Sequence, residues 1–438
     1  MKLSLVALGL SLFASSAFSA PSSLALNDVF DLEYANQVEF SEDGKVIYFV
    51  RNRMDIKTDR KVGNIWSVNV DSNALEPITS GLHMDYAPVI SPDGKRLAFI
   101  STRDGSSQIY MKWLTSGAVA KISNLTQSPS GLTWTPDGKQ LVFSQFVPAK
   151  PKAPVNLPGK PKGAEWAKSP IFIDDVYYRS DGAGYLNPGF YHLFKIDANG
   201  GNAQQLTTGD FDHRGKVSFD TEGKVLYFSA NRHKNHALKP SNSEIYSLDM
   251  KNQSISAVTD REGPDWSPRV SPNGRMLAYI GFDDKRMNYE NADIYIRNLE
   301  SGETKVITDA LDRSVEEIQW DNKSRGVYFS YDSHGKTTVA HQPLKGKSKV
   351  LTDAVGSVAF GRPYSGGSYD ISPRGEVAFT LADPQKPVDI ALVKRGKPIK
   401  LTDLNNDALS NKTLGKVEEI WVKSKHDQLD IQGWIVYP

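Results

Sequence analysis

The segment Ser91-Pro92-Asp93-Gly94-Lys95-Arg96-Leu97-Ala98-Phe99-Ile100 decides the fold. Asp-Gly is a strong turn signal, because glycine accepts a positive φ at no steric cost. An apolar run at 97–100, rich in residues that favour strands, follows the turn. The segment therefore predicts a β-hairpin whose two strands are joined at Asp93-Gly94.

This pattern occurs seven times along the chain. The other copies begin at Ser41, Thr135, Asp220, Ser271, Asp321 and Ser372. The copy at Asp321 is degenerate, since Asp321-Asn322-Lys323-Ser324 has no glycine. A second pair of short apolar runs follows every copy, as at 109–112 and 121–123 in the second unit. Each unit is therefore expected to hold four short strands.

The spacing of the copies indicates the architecture. Successive copies start 44 to 51 residues apart, except that 85 residues separate Thr135 from Asp220. A four-stranded repeat of about 40–50 residues is typical of a propeller blade. A lone blade cannot bury both faces, and a closed ring suits seven such units better than a β-sandwich or a linear solenoid. The sequence predicts an all-β, seven-bladed β-propeller of four-stranded blades over 38–405, after a lead-in at 21–37.

The long interval contains an insertion, at about residues 145–190. Its first part alternates prolines with lysines, which favours an extended surface loop. The later part, Ile171-Phe172-Ile173-Asp174-Asp175-Val176-Tyr177-Tyr178-Arg179, is dense in charge and aromatic side chains. Loops of this length in a compact domain are usually functional or disordered.

The phase of the repeat bears on how the ring closes. Each unit contains all four of its own strands, so nothing near the start of the chain completes the last blade. We therefore predict that the first and last blades meet by side-chain packing, with no exchanged strand.

Composition excludes several classes of protein. The 438 residues carry a net charge of +1, which gives no argument for nucleic acid or an anionic membrane surface. The chain has no cysteine, so disulfides and thiolate metal sites are excluded. Residues 1–20 combine Met1-Lys2, an apolar run and small residues around Ala17-Phe18-Ser19-Ala20, which indicates a secretory signal peptide. We expect an exported protein, most naturally periplasmic, with no membrane span after cleavage.

Motifs for catalysis or metal binding are not apparent. No Gly-x-Ser-x-Gly occurs, and Gly366-Gly367-Ser368-Tyr369-Asp370 is interpreted as a connector between blades. His233 and His236 lie in a basic polar stretch without a His-Glu-x-x-His pattern. The run that begins at Asp403 starts like a calcium loop but has alanine where that loop requires glycine. We therefore predict no catalytic triad, no metal site and no cofactor.

The C-terminal segment departs from the repeat. Residues 414–424 and 427–438 form another strand-turn-strand pattern, out of phase with the blades, that ends in Gly433-Trp434-Ile435-Val436-Tyr437-Pro438. This pattern looks like the opening of a second domain.

The Ser-Pro-Asp-Gly blades and this C-terminal segment together resemble the prolyl oligopeptidase (S9) family of serine peptidases. The similar branch is that of bacterial dipeptidyl-peptidases and acylaminoacyl-peptidases. The blade motif alone also resembles the propeller of the Tol-system periplasmic protein, and the C-terminal segment is what discriminates. The resemblance implies that 406–438 are a connector and the first strands of a truncated α/β-hydrolase domain. The family's Ser, Asp and His lie in that domain, so none can be assigned here.

The resemblance also implies a function. In that family the propeller covers the active site and restricts entry to short peptides, and some members hold the substrate amino group with propeller carboxylates. Asp174 and Asp175, beside Tyr178 and Arg179, are the candidate substrate contacts, with an ordinary surface strand of paired charges as the alternative. We expect the gating propeller of an exported serine peptidase, not catalytic by itself, whose partners are short peptides and a hydrolase domain. The alternative is a stand-alone periplasmic propeller that binds a protein, like the Tol-system propeller.

Overall fold

A computed structural model describes residues 21–150, 158–167, 170–357 and 366–438. The predicted signal peptide at 1–20 lies outside these residues. The described chain is 48% strand and 2% helix, which confirms the all-β class. Its helical segments are a 3-10 turn at Leu26–Phe30 and one short α-helix at Asn406–Leu409. Within the described ranges, no helix is both long and apolar enough to cross a bilayer.

Apart from a two-stranded sheet of Arg179–Ser180 and Gly184–Tyr185 in the insertion, the described strands between 33 and 400 fall into seven consecutive sets of four, numbered here in chain order. Sets 1 and 2 comprise Glu33–Phe40, Val46–Asp55, Arg60–Asn69 and Leu75–Pro77, then Asp85–Ile90, Arg96–Ser101, Gln108–Trp113 and Val119–Lys121. Sets 3 and 4 comprise Pro129–Trp134, Gln140–Pro148, Gly189–Asp197 and Gln204–Gln205, then Ser218–Phe219, Val225–Ala230, Glu244–Asp249 and Ile255–Ala257. Set 5 comprises Asp265–Val270, Met276–Gly281, Asp293–Asn298 and Thr304–Val306. Sets 6 and 7 comprise Val315–Trp320, Gly326–Ser333, Lys336–Pro343 and Lys349–Val355, then Tyr369–Ile371, Val377–Asp383, Lys386–Lys394 and Lys397–Lys400.

Within each set, strands adjacent in sequence pair antiparallel. Sets 1 to 5 are separate four-stranded sheets, whereas sets 6 and 7 join through the single pair Val355 and Leu381. The antiparallel order gives each set two ends. We call the end with the turns between first and second strands the turn face, and the opposite end, with the connections between second and third strands, the loop face.

The hydrophobic core follows the order of the sets. Among the described residues, seven buried clusters each join two consecutive sets, and one of them joins set 7 back to set 1. A fully buried phenylalanine on the second strand anchors six of the sets: Phe49, Phe99, Phe143, Phe228, Phe329 and Phe379. Burial of each such ring contributes about 1.5–3 kcal/mol. Every sheet thus buries both faces against its neighbours, as in a propeller.

The predicted hairpin turns are present. In set 1, Gly44 has a φ of +69° and its amide donates to the carbonyl of Ser41 at 2.8 Å. The Ser41 hydroxyl accepts the Val46 amide at 3.0 Å and donates to the Asp43 carboxylate at 2.7 Å. The Ser-x-Asp-Gly sequence is therefore a self-contained turn whose side chains satisfy the backbone.

A second repeated contact was not foreseen from the sequence. A Ser or Thr hydroxyl just after the fourth strand accepts the amide of a residue in the third strand, at 2.8 to 3.0 Å in six sets. In set 5 the Thr308 hydroxyl accepts the Ile294 amide at 2.9 Å and donates to the Asp293 carboxylate at 2.8 Å. These hydroxyls continue the sheet where the short fourth strand ends. The acceptors are Thr79, Ser123, Thr207, Thr259, Thr308 and Thr402.

Sets 1 and 7 meet as predicted, by packing. Ile47 and Phe49 of set 1 share a buried cluster with Ala378 and Ile390 of set 7. Two side chains then tie the backbones together. Asp370 accepts the Phe40 amide at 2.6 Å, and Asn405 accepts the Glu33 amide at 2.7 Å while donating to the Glu33 carbonyl at 2.8 Å. Among the described residues, no strand of either set is supplied by the opposite end of the chain.

The C-terminal strands form their own hairpin. Val417–Lys423 pairs with Asp430–Val436 in a two-stranded sheet. Its contacts lie on the loop face, where the Gln432 side chain donates to the His334 carbonyl at 3.0 Å. A short parallel pairing of Ser22–Ser23 with Lys412–Thr413 ties the two ends of the described chain together outside the seven sets.

We expect Thr308→Val to lower the free energy of unfolding by about 1–3 kcal/mol, because the isosteric side chain leaves the buried Ile294 amide and Asp293 without their partner. Urea denaturation measures this loss. Thr115→Val, at an exposed turn position, should change stability by less than about 0.5 kcal/mol. Equal effects of the two substitutions would contradict the role given to the Thr308 hydroxyl.

We expect Asn405→Ala to loosen the contact between sets 1 and 7, because Asn405 is 3% exposed and bonds both backbone groups of Glu33. The loss should be about 2 kcal/mol. Hydrogen exchange should accelerate in Glu33–Phe40 and Tyr369–Ile371 before it does in the strands of set 3. Uniform acceleration across all sets would be the contrary result.

Candidate functional site

The first strands of the sets meet around a cavity of about 590 Å³. Its walls come from the first strands and turns of sets 1, 6 and 7, with Ile90 of set 2 and with Tyr328 and His341 from the second and third strands of set 6. Side chains from set 4 reach the same region, since the Lys216 ammonium contacts the Glu317 carboxylate of set 6 across 101 residues of sequence. The first strands therefore face a common space, which we call the channel, and the cavity lies on its side next to the consecutive sets 6, 7 and 1.

A bulge bends most of the first strands at the channel. The residue at the bulge has a positive φ in five sets: Gln37, Ala87, Gly131, Ser267 and Glu317. The Gln37 side chain accepts the Ala87 amide at 2.7 Å, so adjacent bulges are linked. Trp134 and Trp320 end their strands and donate from the indole to the carbonyls of Val89 and Arg269 in the preceding set, at 3.1 and 2.8 Å. These contacts hold the channel-lining residues in place.

One wall of the cavity is acidic. We call Glu39, Glu42 and Asp370, from sets 1 and 7, the acidic wall. Asp370 accepts the Phe40 amide at 2.6 Å and Glu39 accepts the Ile90 amide at 3.4 Å. Burial and the neighbouring Asp370 carboxylate raise the pKa of Glu39, and burial likewise raises the pKa of Asp370. The Lys216 ammonium opposes this effect, because its positive charge lowers the pKa of both Glu39 and Asp370.

The turns of sets 6 and 7 are basic. We call Lys323, Arg325 and Arg374 the basic turns, and all three are exposed and line the cavity. Within the described part of the chain, none of their side chains has an ion-pair partner. The nearby Asp321 carboxylate instead accepts the amides of Lys323 and Arg325, at 3.0 and 2.9 Å, and lies 3.2 Å from His341. The cavity therefore has acidic side chains on one wall and exposed cations on the turns of sets 6 and 7.

The predicted contacts in the insertion lie elsewhere. Asp174, Asp175, Tyr178 and Arg179 are exposed, on an excursion between the second and third strands of set 3. Asp175 accepts the Tyr177 amide at 3.1 Å, and the Tyr178 ring lies 6.3 Å from that of Tyr185. Of the described residues that line the cavity, none belongs to this excursion. Their role as substrate contacts stays a prediction.

The other motifs considered from sequence have local partners. The Ser368 hydroxyl accepts the Val38 amide at 3.4 Å, so the Gly-Gly-Ser connector is part of the contact between sets 7 and 1. His236 Nδ1 lies 3.1 Å from the His233 carbonyl. Asp403 pairs with Lys400 at 2.7 Å.

A buried polar cluster between sets 4 and 5 was missed from sequence. Glu244 is 1% exposed and accepts the Thr259 hydroxyl at 2.6 Å, while its other oxygen lies 3.5 Å from His233 Nε2. Asp265 is fully buried and pairs with Arg261. Burial raises the pKa of Glu244 to about 7 and that of Asp265 to about 6. The signal available in the sequence was a polar residue directly before the third-strand amide that bonds to the Ser or Thr hydroxyl. It recurs in six sets, as Asn64, Gln108, His192, Glu244, Asp293 and Asp389.

Two families match parts of the chain. Residues 29–150 match the TolB beta propeller domain, and residues 174–283 match the dipeptidyl peptidase IV N-terminal region.

Curated relatives include peptidases. Dipeptidyl-peptidase 5 of Porphyromonas gingivalis is 24% identical over 427 residues, which cover 93% of this chain and 59% of that protein. The uncharacterized peptidase YuxL of Bacillus subtilis is 24% identical over 433 residues, 95% of this chain and 64% of that protein. The chain thus spans about 60% of the length of these two relatives. The Tol-Pal system protein TolB of Francisella tularensis is 22% identical over 218 residues, only 47% of this chain and of that protein.

Solved structures support the propeller-like fold. The acylaminoacyl peptidase of Pyrococcus horikoshii superposes with a TM-score of 0.71 at 18% identity, over 93% of this chain and 58% of that one. The β-propeller domain of the Trilobed protease from Pyrococcus furiosus, described as having an open velcro topology, gives 0.57 at 16% identity, over 86% and 97%.

We expect Glu244→Gln to flatten the dependence of stability on pH. The pKa of Glu244 is about 7 in the folded protein and about 4.3 in the unfolded chain. Its protonated carboxyl therefore contributes its full stabilisation only below about pH 4. That contribution is lost as the pH rises to about 7. The substitution removes only the Glu244 carboxyl. It leaves unchanged the neighbouring charged side chains, which are His233, Asp260, Arg261 and Asp265.

The measurement is urea denaturation at pH 5 and pH 8. The loss of stability between these values should be smaller in Glu244→Gln than in the unaltered protein by an amount on the order of 1 kcal/mol. The exposed Glu303→Gln serves as the control and should follow the unaltered protein. Parallel pH profiles for all three proteins would mean that Glu244 does not titrate in this range.

Proposed function

We propose that this chain, a propeller-like protein of the S9 peptidase family, controls which peptides reach a serine hydrolase site. The observation that carries the proposal is the charged cavity of about 590 Å³ beside the channel. Cavities of about 300–1,000 Å³ suit small ligands, whereas a folded protein cannot enter one. The channel would therefore admit short peptides and exclude folded chains.

In this proposal the seven sets are seven blades, and the C-terminal hairpin is the start of an α/β-hydrolase domain. The hairpin leaves Trp421 and Trp434 about half exposed, at 47% and 50%, on the loop face. Such an edge is a site for pairing with further chain. The hydrolase domain would supply the Ser, Asp and His, and the propeller would contribute no catalytic group.

The proposal includes export to the periplasm. The N-terminal 1–20 pattern supports a cleaved signal peptide, and a channel that selects short peptides suits an enzyme that degrades them outside the inner membrane. Asp174, Asp175, Tyr178 and Arg179 would contact a substrate only if the insertion folds toward the loop face, where its two ends emerge from set 3.

The alternative is a stand-alone propeller that binds a protein. Residues 29–150 match the TolB propeller family, which favours this reading. The curated Tol-Pal relative covers 47% of the chain, against more than 90% for the two peptidases. We therefore prefer the peptidase-related function.

Binding of an alanine peptide ladder to the purified chain tests the proposal. Isothermal titration should detect peptides of two to five residues, and an unstructured 20-residue peptide should bind at least about tenfold more weakly, because it cannot fit the cavity. Asn322→Trp, on an exposed turn that lines the cavity, should weaken short-peptide binding. Asn252→Trp, on an exposed turn of set 4, should not.

Two results would oppose the proposal. If no short peptide binds, the cavity is not a peptide channel. If long peptides bind as tightly as short ones and Asn322→Trp has no effect, binding takes place on an outer face, as the protein-binding alternative requires.

A further inference from the structure

The hairpin turns at the turn face differ in charge from set to set. The third residue of the turn is a carboxylate in sets 1 to 4, asparagine in set 5 and a cation in sets 6 and 7. In sets 1 to 3 this carboxylate accepts the hydroxyl at the start of the turn, a contact that a cation cannot make. Sets 6 and 7 therefore lack that contact and have a positive charge in its place. In chain order the seven residues are Asp43, Asp93, Asp137, Glu222, Asn273, Lys323 and Arg374.

The turns between third and fourth strands, on the same face, are basic in the same two sets. Counted with one flanking residue on each side, these turns contain one cation, Lys251, in sets 1 to 5 taken together. Residues 343–349 of set 6 and 394–397 of set 7 contain six. They are Lys345, Lys347, Lys349, Lys394, Arg395 and Lys397. The overall net charge of +1 therefore hides a local excess of positive charge.

The turns of sets 6 and 7 form one continuous surface. In set 6 the Leu344 amide donates to the Arg325 carbonyl at 2.8 Å, which joins the two turns of that set. The Asn322 side chain donates to the Pro373 carbonyl of set 7 at 2.6 Å. We call the cations of this surface the basic corner. Its members are Lys323, Arg325, Lys345, Lys347, Lys349, Arg374, Lys394, Arg395 and Lys397.

The charge of the basic corner is not balanced nearby. All nine cations except Lys394 are exposed, and in the part of the chain that the structure describes only Lys394 forms an ion pair, with Asp71 at 3.4 Å. The four turn segments contain two carboxylates, Asp321 and Glu376. Such an excess on one side of a protein attracts a surface of negative charge.

Exposed apolar side chains lie next to these cations. Val350 directly follows Lys349 and is 53% exposed, and Ile399 lies two residues after Lys397 and is 44% exposed. Lysine and arginine combined with exposed apolar side chains favour the interface of an anionic bilayer. A nucleic-acid surface would instead combine its cations with aromatic side chains on which bases stack. Residues 321–325, 343–350, 372–376 and 394–400 contain no aromatic residue.

We propose that the basic corner docks on the surface of a lipid bilayer that contains anionic headgroups. This inference goes beyond the proposed function and does not depend on it. Each lysine or arginine near such a surface strengthens binding about fivefold, and Val350 and Ile399 would enter the headgroup region beside them.

The charges also set the orientation of the docked chain. The turn carboxylates of sets 1 to 4, such as Asp93 and Asp137, are repelled by the same headgroups, so contact is made at sets 6 and 7 and not over the whole turn face. The loop face, where the C-terminal hairpin contacts His334, then points away from the bilayer.

Cosedimentation of the purified chain with vesicles tests this inference. We expect binding to vesicles of phosphatidylglycerol and phosphatidylcholine in equal parts, no binding to phosphatidylcholine alone, and a loss of at least about tenfold when the salt rises from about 0.05 M to about 0.5 M. The triple substitution Lys345→Gln, Lys347→Gln and Lys349→Gln should weaken binding on the order of 100-fold.

The matched control is the triple substitution Lys57→Gln, Arg60→Gln and Lys61→Gln. It removes the same net charge from three exposed side chains at the loop-face connection of set 1. It should weaken binding by less than about threefold, because these cations face away from the bilayer. All six positions are exposed, so both variants should fold, which circular dichroism checks.

Heparin distinguishes a bilayer from a soluble polyanion. The double substitution Val350→Ser and Ile399→Ser should weaken binding to the anionic vesicles about tenfold and leave heparin binding unchanged, since heparin has no apolar phase to receive these side chains.

Three results would overturn the inference. If the chain does not bind the anionic vesicles, the basic corner is no membrane surface, and the peptide-binding proposal is untouched. If the two triple variants weaken binding equally, total charge and not the basic corner is responsible. If the serine variant binds the vesicles as tightly as the unaltered chain does, and heparin binds as tightly as the vesicles, the corner is a site for soluble polyanions.

Discussion

Burial of every sheet between two neighbours is the constraint on which the rest of the structure depends. A four-stranded sheet cannot stand alone with two apolar faces, and here each face is covered only because the sets follow one another around the axis. This burial depends on the two ends of the chain where set 7 meets set 1. There Ile47 and Phe49 of set 1 are buried together with Ala378 and Ile390 of set 7. Asp370 serves this contact and the channel at once, because its carboxylate accepts the Phe40 amide and also faces the cavity.

The hairpin turns could be predicted from the sequence, whereas the contacts between residues of different sets could not. The turns at Gly44 and Gly94 follow from Asp-Gly, and both glycines have the positive φ that such turns require. Gln37, Ala87 and Ser267 at the bulges also have a positive φ. These residue types do not favour a positive φ, so the sequence did not predict it. Their conformation is imposed by contacts between sets, such as the bond from the Ala87 amide to Gln37.

The candidate site illustrates the same limit. The sequence drew attention to Asp174 and Asp175, because they stand out in an insertion dense in charge and aromatic side chains. The charges that converge on the cavity sit inside ordinary blades, and Glu39 and Asp370 are more than 300 residues apart. Only the closed order of the sets brings them together. The repeated Ser and Thr hydroxyls, by contrast, were visible as a repeat, and only their role was missing.

Closure by packing rather than by an exchanged strand has a consequence for synthesis on the ribosome. Because each set is contiguous in sequence, its four strands can pair as soon as they leave the ribosome. The apolar face of set 1 that packs on set 7 is covered only later, because the contact between Phe40 and Asp370 spans 330 residues. At about 5–20 residues per second, the apolar face of set 1 stays uncovered for on the order of half a minute. The nascent chain therefore exposes the apolar face of set 1 during most of its translation. A chaperone that covers this one surface would protect the whole fold.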